Sequence, residues 1–268
     1  MKNSNNLSKN FGIALIIIVL ASNACEDILK LNVIGDGNII TDTLRWKNYN
    51  INEIELSDNF KLEIYKSEIP ALHVEADSNL MVYIKTDFTR NKLTISRQSD
   101  YNLKPSKNII IRLYINKLSL ITVINRGIVV CDTLSAPKFY VNVYGKSTFK
   151  SDYIDADDLY CITEGSSTVD IKGEFKFIDY TQTGSGETFL SGSTDFFQLC
   201  LEGSGKIEAL NFPSKYSDIM LRNSGLIYCR VSNRLSVDLT GTGKIFYIGS
   251  PELSIKGDGI IDVNIIHY

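Results

Sequence analysis

The side chains that could carry chemistry are few and poorly grouped. His73 and His267 are the only imidazoles of the chain. A Ser/His/Asp relay would have to use one in a predicted strand or the other at the penultimate position, and neither is expected to act. No Cys and His spacing matches a metal site, so neither metal nor cofactor is expected. Asp155, Asp157 and Asp158 crowd into one return loop, where a solvated acidic turn accounts for them. Asp179, Asp218 and Asp238 are a better candidate, because they recur at outward positions and could line one sheet. Clustered acids on an outer groove would suit a carbohydrate-active lyase or hydrolase, although solubility of that face explains them more simply.

Four cysteines remain apart from Cys25: Cys131, Cys161, Cys200 and Cys229. In an exported chain they would suggest two disulfides, but their spacing in the repeat described next argues otherwise. Cys131 and Cys229 fall five repeats apart, roughly 24 Å at the strand spacing. Cys161 and Cys200 fall two apart, roughly 9.5 Å, and a disulfide needs Cα atoms within about 7 Å. Cys131, Cys161 and Cys229 are expected to face inward as small core residues. Cys200, between Leu199 and Leu201, is expected to face out and to be the most reactive thiol.

The elements that must position these groups are set by a glycine-centred triplet. It occurs as Asn125-Arg126-Gly127, Gly145-Lys146-Ser147, Gly165-Ser166-Ser167, Gly184-Ser185-Gly186, Gly203-Ser204-Gly205, Asn223-Ser224-Gly225, Gly241-Thr242-Gly243 and Gly257-Asp258-Gly259. The intervals are 20, 20, 19, 19, 20, 18 and 16 residues. A period of that size marks a solenoid whose units bury their apolar faces only by stacking. Four residues before each triplet stand Ile121, Val141, Cys161, Tyr180, Leu199, Ile219, Val237 and Leu253; four residues after stand Val129, Phe149, Val169, Thr188, Ile207, Ile227, Ile245 and Ile261. A further column lies two residues before, from Val123 to Ile255. Period-two alternation predicts half-buried strands, so each unit reads as strand, turn, strand.

Stacked units of this kind make a single-stranded parallel β-helix over 117–268. The hexapeptide period of left-handed helices is missing, which points to a right-handed coil. Ser and Thr in successive turns could form a hydroxyl ladder. No helix follows any triplet, so the glycines are turn residues and not a phosphate cradle. Outward rows on the strand before the triplet carry Tyr140, Tyr160, Ile162 and Met220 beside Asp179, Asp218 and Asp238. That row is the candidate binding face, suited to a partner protein, a sugar ring, a sister subunit or the cap.

Residues 44–116 are also strand-rich but show no triplet. They are expected to form an antiparallel or mixed β unit that caps the coil and hides its open edge. The boundary near Lys117 is soft, and Tyr101 to Asn108, with Pro105, is the expected internal loop. Upstream, Lys2 and Lys9 precede the apolar run Phe11 to Leu20, which is too short to span a bilayer. Residues 1–24 therefore read as a signal peptide. Ala21-Ser22-Asn23-Ala24-Cys25 is similar to a bacterial lipobox, with Ser22 where leucine is usual. Cys25 would then carry the lipid, and residues 25–43 would form an anchored linker. Glu26-Asp27 behind it resembles a surface-export signal, and a solvated linker explains it as well.

The formal charge of −3 without basic clusters excludes nucleic acid as an expected partner. It equally argues against electrostatic binding to anionic membranes.

The lipobox-like cysteine, Gly35-Asp36-Gly37, the strand-rich first half and the turns Gly203-Ser204-Gly205-Lys206-Ile207 and Gly241-Thr242-Gly243-Lys244-Ile245 together resemble the head GIN-domain family, named for auto-transporter adhesins. The likeness runs from about Leu44 to Ile261. It implies a β-helical, non-enzymatic lipoprotein of the Bacteroidetes cell envelope, and it carries no catalytic residue to transfer. The expected function is adhesion, or glycan or protein binding, from the outer membrane, with homo-oligomerisation left open. A carbohydrate-active enzyme and a periplasmic scaffold are the alternatives.

Overall fold

The computed structural model describes residues 30–46 and 50–257. The expected signal peptide, Cys25, Glu26-Asp27, Ile261 and His267 lie outside the described residues.

Each repeat folds as two strands joined by its triplet, and the strands stack in parallel into two walls of one β-solenoid. The first wall runs Lys92–Arg97, Glu53–Ser57, Leu120–Ile124, Lys138–Gly145, Asp158–Gly165, 177–184, 196–203, 216–223, 234–241 and Glu252–Lys256. The second runs Ile110–Ile115, Lys61–Lys66, Ile128–Ser135, Thr148–Asp155, 168–175, 187–194, 206–214, 226–231 and Lys244–Ile248. Alternate side chains point between the walls and fill a continuous core, as the pleat requires.

The triplet works because its first residue is left-handed every time: Asn125, Gly145, Gly165, Gly184, Gly203, Asn223, Gly241 and Gly257 all have positive φ. The turns also stack. The N–H of the second triplet residue donates to the first residue of the previous rung, as in Lys146 N to Asn125 O at 2.7 Å and Ser166 N to Gly145 O at 2.8 Å. The N–H just after the triplet donates to the third residue of the previous rung, as in Thr148 N to Gly127 O at 2.9 Å. At Gly145, φ is +81° and a Cβ would sit 2.7 Å from the Asn125 carbonyl oxygen, so both conformation and space select glycine. The side-chain ladder is sparser than the backbone one: Ser166 Oγ and Ser185 Oγ approach to 3.1 Å.

Several polar side chains are buried with the apolar columns, and one group of them bonds internally. Tyr180 Oη lies 2.6 Å from Thr188 Oγ1, Thr188 donates to Gln182 Oε1 at 2.7 Å, and Gln182 Nε2 donates to Gly186 O at 2.7 Å. Burial holds the Tyr180 phenol well above its ordinary pKa. The two inward columns also fail at one end. Leu253 and Ile255 are 44% and 42% exposed, because no later rung lies over Glu252–Lys256 among the described residues.

The strand-rich first half is a mixed unit, and the ladder continues across the expected boundary near Lys117, with Glu53–Ser57 pairing Leu120–Ile124 and Lys61–Lys66 pairing Ile128–Ser135. The rung 53–66 sits between the rung 92–115 and the rung 120–135, so spatial order departs from chain order. Its turn is Asp58-Asn59-Phe60. Asp58 has a φ of +85°, and Ile128 N donates to Phe60 O at 2.9 Å, the same bond that glycine or serine accepts in later rungs. Antiparallel strands finish the unit: Ile39–Leu44 and Ile110–Ile115 on either side of Ala71–Asp77, and Ile84–Thr89 on Lys92–Arg97.

The expected internal loop after residue 100 is corrected in its first half. Tyr101–Lys104 is a strand, because Leu31–Ile34 of the expected linker pairs with it in parallel. That N-terminal segment is fastened by a buried carboxylate. Asp77 is 0% exposed and accepts Gly37 N at 2.8 Å, Ser106 N at 2.9 Å and Ser106 Oγ at 2.6 Å. The Ser106 hydroxyl first, with the backbone N–H groups, holds its pKa below the ordinary carboxylate value. Gly35 has no side chain because a Cβ would collide with the same carboxylate.

Two outcomes follow from these contacts. Gly145→Ala should lower unfolding stability by about 1–3 kcal/mol, while Gly145→Asn, the residue found at 125 and 223, should cost less; urea titration of both variants measures the order. Asp77→Asn should be less stable than wild type at neutral pH. Because the native pKa of Asp77 is depressed, its contribution is present above the unfolded value of about 4 and fades as pH falls through the native value. Melting temperature against pH should therefore drop in acid for wild type and be flatter for Asp77→Asn; parallel curves would contradict the assignment.

Candidate functional site

The outer face of the first wall gathers the sequence-predicted residues. In Lys138–Gly145 and its successors, alternation sends Phe139, Val141 and Val143 inward and leaves Lys138, Tyr140 and Asn142 outward. Register then aligns three outward rows along the solenoid axis. The first holds Lys138, Asp158, Phe177, Phe196, Tyr216 and Arg234. The second holds Tyr140, Tyr160, Asp179, Gln198, Asp218 and Ser236, and the third Asn142, Ile162, Thr181, Cys200, Met220 and Asp238.

Five rings on these rows form an unbroken stripe. Tyr140 and Tyr160 stack at 5.0 Å with an interplanar angle of 13°. Tyr160 meets Phe177 at 6.0 Å, Phe177 meets Phe196 at 6.1 Å, and Phe196 meets Tyr216 at 6.3 Å. The step from the second row to the first falls between Tyr160 and Phe177. A cation lies near each end, Lys138 Nζ 5.8 Å from the centre of the second ring, Tyr160, and Arg234 5.9 Å from that of the last, Tyr216, within reach of the ring quadrupole. Tyr140 and Tyr216 are 40% and 39% exposed; Tyr160, Phe177 and Phe196 are half-buried. Ile162 is exposed and Met220 half-buried on the third row.

The sequence reading found Tyr140 and Tyr160 but missed Phe177, Phe196 and Tyr216. The available signal was the position seven residues before each triplet, where ring follows ring on three consecutive rungs.

The acids share this wall without converging. Asp179 and Asp218 stand two rungs apart with Gln198 between them, and Asp238 pairs with Met220 on the third row. Burial raises the pKa of Asp179, and Arg234 lies 3.9 Å from Asp218. The loop acids are each engaged: Asp155 accepts from Ser135 Oγ at 3.0 Å, Asp157 pairs with Lys176 at 2.9 Å, and Asp158 with Lys138 at 3.0 Å. His73 packs on Tyr114 in the N-terminal unit, far along the chain from these acids. Among the described residues no three His, Cys, Asp or Glu side chains group to hold a metal ion.

The four described thiols are free. Cys131, Cys161 and Cys229 lie in the core, where burial raises every thiol, Cys161 and Cys229 to about 12. Cys200 is partly exposed on the third row, and burial raises it as well.

Several solved structures share this architecture. A putative lipid binding protein from Parabacteroides distasonis superposes with a TM-score of 0.78 at 23% identity, covering 88% of this chain and 100% of its own. A putative adhesin from Parabacteroides merdae gives a TM-score of 0.80 at 18% identity, covering 88% and 99%. A putative adhesin from Parabacteroides distasonis gives 0.69 at 19%, covering 85% and 97%. At such identities the likeness establishes the fold. No curated protein matches the chain. The family model described as "Putative auto-transporter adhesin, head GIN domain" matches residues 48–251, and the chain belongs to that family.

Proposed function

We propose that this protein is a non-catalytic component of the cell envelope, held at the outer membrane by a lipid on Cys25, and that it contacts a macromolecular partner through the aromatic stripe. The observation that carries this reading is the unbroken run Tyr140, Tyr160, Phe177, Phe196 and Tyr216 on one flat wall. Isolated exposed rings are ordinary, whereas a contiguous apolar surface rimmed by charge is what interaction sites present. Lys176–Asp157 and Lys215–Asp195 ion pairs, at 2.9 and 2.7 Å, form such a rim along the corner beside the stripe.

Ring orientation bears on the class of partner. Tyr140 and Tyr160 stack face to face, and cations lie over Tyr160 and Tyr216, so these rings offer edges to an approaching molecule. A sugar packs its C–H face on an open ring face, and a protein surface accepts ring edges equally well. The stripe therefore favours a protein partner over a glycan. Membership of an adhesin-named family supports surface display, and a periplasmic scaffold would use the same wall from the inner side of the membrane.

On intact cells, external protease should cut the wild-type protein while a periplasmic marker stays whole, and Cys25→Ala should release the protein from the membrane. Purified protein carrying Phe177→Ser and Phe196→Ser should bind immobilised extracellular-matrix proteins at least tenfold more weakly than wild type, with a cooperative thermal transition retained. Protection from protease would remove surface display, and equal binding by the double variant would remove the stripe.

A further inference from the structure

The second wall carries a groove whose chemistry differs from that of the stripe. Its outward row five residues after the triplets reads Lys150, Asp170, Phe189, Glu208, Tyr228 and Phe246 on successive rungs. Phe189 thus stands between two carboxylates instead of between rings, and it is 40% exposed. Tyr228 and Phe246, two positions further on, stack on each other at 4.9 Å.

A local irregularity builds the side of the groove. Ala209 pairs with Cys229, yet Pro213 pairs with Arg230, so residues 210–212 have no counterpart on the next rung. Phe212 turns into the core, against Phe175 and Phe197 at ring distances of 6.2 and 5.9 Å. Leu210 and Asn211 are left outside, and Arg230 fixes them by donating from Nε to Leu210 O at 3.1 Å. The result is a groove of about 480 Å³ lined by Asp170, Phe189, Glu208, Asn211, Arg230 and Ile248, among others. That is within the range of small-molecule sites.

We propose that this groove binds a neutral pyranose unit of a glycan. A pyranose has a C–H face and a rim of hydroxyls. The exposed Phe189 ring, which lines the groove, supplies the apolar surface for the C–H face. Carboxylates on either side accept hydroxyl protons, and the Asn211 amide and the Arg230 guanidinium donate to hydroxyl oxygens. Lys150 lies 3.2 Å from Asp170 and Lys206 2.5 Å from Glu208, so each carboxylate is paired with a cation and keeps its remaining lone pairs for a hydroxyl. The polar rim wastes its hydrogen bonds on a purely apolar ligand, and its mixture of acceptors and donors, with each carboxylate already matched by a lysine, suits the mixed donors and acceptors of neutral hydroxyls. The site lies on the opposite wall from the stripe, so it stands or falls independently of the protein contact proposed above.

Saturation-transfer NMR on the intact protein, with the methyl glycosides of glucose, galactose, mannose and N-acetylglucosamine as probes, tests the site. At least one glycoside should receive saturation, with affinity on the order of millimolar for so small a ligand. Phe189→Ala should weaken that binding at least tenfold, Phe189→Tyr should keep it, and Glu208→Gln should weaken it several-fold. Phe196→Ala, on the stripe, should leave it unchanged. Absence of transfer from all four glycosides, or equal transfer to wild type and Phe189→Ala, would overturn the proposal.

Discussion

The backbone hydrogen bond between stacked turns is the constraint from which the rest of this molecule follows. A chain that turns tightly between its two walls once per rung must place a left-handed residue at the same point each time, and the carbonyl there must meet an N–H one rung later. Side-chain volume at that point collides with the backbone below. Glycine fills most of the column and asparagine, which tolerates positive φ, fills the rest. Once the turns are in register, the strand positions flanking them are in register too. Inward positions then become a core, and outward positions become rows.

Rows are what allow such a plain architecture to present specific surfaces. A ring at one outward position becomes a stripe when the next repeats place rings at the same or the adjacent position, and Tyr140 through Tyr216 are that case. Rings separated by carboxylates stay apart, as at Phe189. The two walls can therefore diverge chemically while sharing one core. Irregularities matter because they alter a wall locally: the unmatched residues 210–212 change the second wall without disturbing the turns on either side.

The turn column and the three inward columns were legible in the sequence because backbone geometry there restricts residue type sharply. Outward rows impose no such restriction, so Phe177, Phe196 and Tyr216 went unseen although they sit in register with one another. The rung 53–66 was hidden for a related reason. Asp58 takes the positive φ and Phe60 the third turn position, so neither glycine nor serine marks the turn. Its place between rungs 92–115 and 120–135 is a long-range pairing that local pattern cannot report. The same holds for Leu31–Ile34, whose strand exists through Tyr101–Lys104, and for the groove, which depends on register against the following rung.

The central functional claim is that the outer face of the first wall meets a partner. Site-specific photo-crosslinking on intact cells tests it most directly, with a benzoylphenylalanine placed at Phe177, at Phe196 and, as the opposite-wall control, at Thr148. The account predicts one common adduct from positions 177 and 196 and none from 148. Adducts absent from both stripe positions, or equally strong from Thr148, would contradict it.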